Sequence, residues 1–103
     1  MDRYDILLSA DALEDIYEIT KYIREKFASP SLAEKYFNEL FDTVKSLDYM
    51  PSRFEKVTMK YIKRDNIRKI IYKNFLAFYH IDVEKQNVYV LRVRYSGTDW
   101  KET

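Results

Sequence analysis

The stretch Leu91-Arg92-Val93-Arg94-Tyr95 sets two arginines two positions apart in a run of β-forming residues. On a strand such residues share one sheet face, and neighbouring guanidinium groups repel unless an anion or an acid lies between them. The pair therefore marks either a site for an anionic or acidic partner or an ion pair with Asp82 or Glu84 of a neighbouring strand. If Leu91 and Val93 enter the core, both arginines lie on the face away from it. A second basic group comprises Lys56, Lys60, Lys63, Arg64, Arg68, Lys69 and Lys73, with Asp65 the one acid between its ends. Such a cluster would attract phosphates, with Tyr61 and Tyr72 able to stack on bases; equally, its lysines would guard a strand edge against aggregation.

Other chemistries fit poorly. His80 is the only histidine and has no carboxylates at ligand spacing around it, so neither a metal nor a cofactor is expected. A serine nucleophile would need the same histidine and a Gly-x-Ser-x-Gly turn, which is absent. The lone Gly97 rules out glycine-rich phosphate loops. With no cysteine there is no disulfide or thiolate site, which fits a reducing cytoplasm.

The elements that must position these residues follow from periodicity. Tyr4, Ile6 and Leu8 alternate with Asp5 and Leu7 as on a first strand. Ser9 is a suitable N-cap, after which Leu13, Ile16, Tyr17, Thr20, Ile23 and Phe27 recur at helical spacing, widened by Ala12 and Ile19. Ser29-Pro30 breaks that helix and caps a second, whose seam is Ala33, Phe37, Leu40, Val44 and Leu47, flanked by Tyr36 and Phe41. Pro51 closes it. Residues 52–66 read as a basic loop with a short strand near Val57. Three strands follow, over 67–72, 75–83 and 88–95, with Lys73-Asn74 as a two-residue hairpin whose asparagine tolerates left-handed geometry. The expected class is α+β: an N-terminal strand, an antiparallel helical hairpin, and a three-stranded antiparallel sheet packed on it.

At 103 residues and 47% hydrophobic the chain can bury a core without bridges, and residues 1–103 read as one domain. Its apolar runs are too short to span a bilayer, so no membrane partner is expected. The net charge of +1 hides an asymmetry: residues 1–50 hold six basic against eleven acidic residues, residues 51–103 twelve against six. That polarity reflects either charge matching between packed elements or a basic working face on the C-terminal half.

These phrases, in this order, resemble the RelE/ParE toxins of type II toxin–antitoxin systems. The opening Tyr4 to Ile16, Ala33, Pro51, Ile67-Arg68-Lys69, Phe78-Tyr79, Leu91-Arg92-Val93 and Asp99-Trp100 match the family pattern over nearly the whole chain. The resemblance implies a toxin restrained by a cognate antitoxin and acting by one of two routes. One is ribosome-dependent cleavage of messenger RNA, in which the basic residues Arg68, Lys69 and Arg92 on the sheet would stabilise charge that develops at the phosphate. The other is ParE-like inhibition of DNA gyrase by binding. Leu76 stands where ribonucleolytic members carry arginine, and Ser96-Gly97-Thr98-Asp99-Trp100 replaces their basic terminal run. These departures favour the binding branch, with Arg68, Lys69, Arg92, Arg94, Tyr95 and Trp100 as its partner-contacting residues. A relative that binds protein but is no longer toxic is the third alternative.

Overall fold

The computed structural model describes residues 3–57 and 66–95. Along the chain run β1 (Asp5–Leu8), α1 (Ala10–Phe27), α2 (Pro30–Lys45), 3-10 turns at Ser46–Asp48 and Pro51–Arg53, then β2 (Ile67–Tyr72), β3 (Phe75–Asp82) and β4 (Asn87–Tyr95). The class is the expected α+β. Its sheet has the order β1-β4-β3-β2, antiparallel throughout except that β1 pairs parallel to β4, Asp5 to Leu8 against Asn87 to Val90. The N-terminal strand thus becomes a fourth member of the sheet, which alternation alone could not announce.

Both helix starts follow from serine. Ser9 Oγ accepts from the Ala12 amide and Ser29 Oγ from the Leu32 amide, with Pro30 opening α2 where its missing N–H costs nothing. Joined by Ala28 and Ser29 alone, the two helices pack against each other and cover one sheet face. Ile16, Ile23, Leu40, Val44 and Leu47 meet Phe75, Tyr79, Val88, Val90 and Val93 there. The other face carries a smaller cluster of Ile67, Leu76, Phe78 and Leu91, with Val57 and Tyr89 against it.

Four expectations shift in detail. The buried stripe of α1 is Ala12, Ile16, Ile19 and Ile23, which leaves Leu13, Tyr17 and Phe27 exposed although they share the spacing. A bulge in the β3–β4 pairing beside Phe78 and Tyr79, where β4 steps from Val90 to Arg92, adds one residue to β4. It turns Leu91 into the smaller cluster while Val93 enters the helix-covered core. At the hairpin the left-handed residue is Lys73, φ 52°, and not Asn74. Near Val57 there is a single bridge, Lys56 to Arg68, with the Val57 amide donating to the Ile67 carbonyl. No helix among the described residues is long and apolar enough to cross a membrane.

Candidate partner-binding surface

β1 covers only the first half of the outer edge of β4. Past Leu8 the chain turns into α1, and side chains take over the edge: Ser9 Oγ donates to the Leu91 carbonyl at 2.8 Å, and the Val93 amide donates to Asp15 Oδ2 at 2.9 Å. Buried or half-buried backbone groups need such partners. Asp15 does more than cap the edge. Arg92 Nε and Nη2 donate to its two oxygens at 2.8 and 2.9 Å, and Arg94 Nη1 reaches Oδ1 at 3.3 Å. One carboxylate, 13% exposed, thereby accepts from two arginines and an amide. The acid required between Arg92 and Arg94 is supplied from α1, not by Asp82 or Glu84 of the neighbouring strand. Nothing in the periodicity of α1 distinguishes Asp15 from its other acids; only the crossing of α1 over the β4 edge does.

Arg68 and Lys69 are consecutive in β2 and so point to opposite faces. Ile70 belongs to the helix-covered core and Ile67 to the other cluster, which places Arg68 on the helix side beyond the helix ends and Lys69 on the open face. Arg68 Nη1 donates to the Phe54 carbonyl at 2.6 Å; Lys69 Nζ stands 3.7 Å from Glu55. Of the three bases named for RNA cleavage, Arg68 lies alone on the helix-covered face, while Lys69 and Arg92 stand two strands apart on the open face, both opposite Phe78, with Arg92 held by Asp15. Leu76 is buried in the smaller cluster with Ile67, Phe78 and Leu91.

Tyr95 is a core residue, 5% exposed, its ring 5.3 Å from Phe75 and 5.9 Å from Tyr22 between centroids. It is not displayed as an aromatic anchor. Tyr72 packs on the core, its hydroxyl donating to Glu39, which also receives Lys73 Nζ at 3.0 Å. The Lys73 hydrogen bond holds the Glu39 carboxyl below its ordinary range, and the same contact raises Lys73. Trp100 and, in the basic run, Lys60, Tyr61, Lys63 and Arg64 lie outside the described residues. Among the described residues no group of histidine and acidic side chains is arranged to hold a metal.

One feature had no forecast. Leu13 and Tyr17 on α1, and Phe37 and Phe41 on α2, remain 38–62% exposed, with the two phenylalanine rings stacked at 5.8 Å. The signal was present as apolar pairs four residues apart on each helix, but the spacing reads the same for a buried stripe.

The sequence pattern of the family described as "ParE toxin of type II toxin-antitoxin system, parDE" matches residues 6–100. The chain belongs to the ParE toxin family. No curated protein is significantly similar to it in sequence. Among solved structures, this ParE-family chain superposes on the chromosomal ParDE toxin–antitoxin system of P. aeruginosa with a TM-score of 0.71 at 15% identity, over 90% of this chain and 96% of that one. The RelBE2 toxin–antitoxin complex of Mycobacterium tuberculosis gives 0.66 at 18% identity, covering 92% and 93%. The archaeal RelE–RelB complex of Pyrococcus horikoshii gives 0.53 at 12%, covering 92% and 97%. At these identities the likeness is one of fold.

Proposed function

We propose that the chain is a toxin that works by binding, inhibiting DNA gyrase in the manner of the ParE branch, and that a cognate antitoxin neutralises it. The observation that carries this reading is the dispersal of the bases. General acid–base cleavage of RNA needs groups converging on one phosphate within hydrogen-bond reach. Here Arg68 and Lys69 occupy opposite faces and Arg92 is engaged by Asp15. Leu76, buried in an apolar cluster at the position where the resemblance places an arginine in ribonucleolytic relatives, supports the same conclusion. For the antitoxin, the exposed Leu13, Tyr17, Phe37 and Phe41 suit an amphipathic helix laid on the hairpin. Lys69 on the open face remains a partner contact, and Arg92 and Arg94 contribute through the Asp15 cluster. The working compartment is the cytoplasm, where gyrase is found.

The test is a supercoiling assay with purified toxin titrated against gyrase. Loss of supercoiling, restored by the antitoxin, is expected; unimpaired supercoiling at a large molar excess of toxin removes the proposal.

A further inference from the structure

Four basic residues lie in the strands, and three of them meet a carboxylate: Lys69 meets Glu55, and Arg92 and Arg94 meet Asp15. Arg68 meets none among the described residues. Its only side-chain hydrogen bond among them is from Nη1 to the Phe54 carbonyl, and its Nε is buried with no partner there. A buried N–H left unmatched is destabilising, the more so on a charged group, so a residue kept in this condition asks for a reason. Clamping the 51–57 segment to β2 needs a donor but no positive charge.

The surroundings supply one. Arg68 lines a half-enclosed pocket of about 190 Å³ at the end of the sheet where β1 begins and β3 ends, together with Tyr4, Pro51, Ser52, Asn66, Ile81 and Val83. Four of these walls are apolar, and Val83 at the mouth is 68% exposed. Next to the pocket, the Tyr79 hydroxyl is committed to the Pro51 carbonyl at 2.6 Å and buried, and it feels the positive charges of Arg68 and Arg53. The pocket thus combines one planar cation, two small polar side chains and apolar walls.

We propose that this pocket is a binding site for an aliphatic carboxylate, anchored by the Arg68 guanidinium and seated against Tyr4, Ile81 and Val83. A guanidinium matches a carboxylate in plane and charge, and an apolar wall rewards the carbon chain behind it. A phosphate fits less well, because one cation and two small polar groups leave its further oxygens unmatched. The volume accepts one side-chain-sized group, so the carboxylate belongs either to a glutamate of a peptide or to a short branched acid. The site is separate from the Asp15 cluster and does not depend on the gyrase proposal.

Amide NMR titrations of the full chain test it, with isovalerate, isoamyl alcohol, inorganic phosphate and acetyl-Leu-Glu-amide as probes. Saturable shifts at Ser52, Asn66, Arg68, Ile81 and Val83 are expected with isovalerate at about millimolar affinity, as suits so small a ligand. The alcohol, lacking the charge, and phosphate should bind at least about tenfold more weakly. Arg68→Gln should abolish the effect. Val83→Glu, at the exposed mouth of the pocket, should weaken it about tenfold by like-charge repulsion. Tighter binding of the peptide than of isovalerate assigns the site to a peptide partner, and the reverse to a small acid; both uphold a carboxylate site. Absence of saturable shifts at these residues, equal binding of alcohol or phosphate, or full affinity in Val83→Glu overturns it.

Discussion

Arg92 and Arg94 on β4 and Arg68 on β2 belong to the same basic half of the chain, yet their surroundings are opposite. The β4 pair converges on Asp15, which also receives the Val93 amide, so each of the two arginines has an acid partner within the fold. Arg68 holds one backbone carbonyl and faces a pocket. The difference teaches that crowding of like charges is a poor guide to a surface left open for a partner. Two arginines side by side are where a fold must provide an acid, whereas the single Arg68 meets none among the described residues.

The contrast can be broken most severely at Asp15. Replacing it by alanine removes an acceptor shared by two partly buried guanidinium groups and an edge amide, and a loss of about 3 kcal/mol in a denaturant titration is expected. A double-mutant cycle with Arg92→Met sharpens this: the two changes together should cost clearly less than their sum. An Asp15→Ala protein as stable as the parent would show that the arginines find their counter-charge elsewhere.

Next in size is Tyr79, beside Arg68. Burial pushes its hydroxyl up to about 12, against the pull of Arg68 and Arg53. An unfolded tyrosine ionises near 10, so between these values the unfolded state holds fewer protons and stability falls as pH rises. About 2–3 kcal/mol should be lost from pH 10 to 12, and Tyr79→Phe should lack that portion of the decline. Equal slopes for the two proteins in alkaline denaturation would contradict the burial argument.

Ser9→Ala removes both the cap of α1 and the bond to the Leu91 carbonyl and should cost about 1–2 kcal/mol, read as a lower thermal midpoint. Glu39→Gln should matter least. Its contact with Lys73 lowers the Glu39 pKa, so any stabilisation exists above the unfolded pKa and fades as pH falls through the folded one. Added salt should erase the difference between Glu39→Gln and parent melting curves, since the pair is at the surface.

Much of this architecture was legible in the residues. Ser9 and Ser29-Pro30 announced both helix starts, and β-branched and aromatic runs announced β2 to β4. What escaped depended on contacts far apart in sequence. The parallel docking of β1 on β4, the bulge that sends Leu91 and Val93 to different faces, and the reach of Asp15 across to Arg92 are tertiary choices that no local period encodes. For the same reason Leu13 and Tyr17, at the same spacing as buried neighbours, end outside while Tyr95 ends inside. The candidate site was legible as a set of basic residues and not as an arrangement. That Arg68 and Lys69 part company follows from strand alternation, whereas only the fold shows that Arg92 is already engaged.

The central claim, that this ParE-family chain acts by binding and cuts no RNA, is tested most directly by primer extension on messages translated in the presence of the toxin. The dispersal of Arg68, Lys69 and Arg92 predicts an unchanged pattern of 5′ ends under conditions where supercoiling is lost. New ends within coding sequence, abolished by Lys69→Ala, would contradict it.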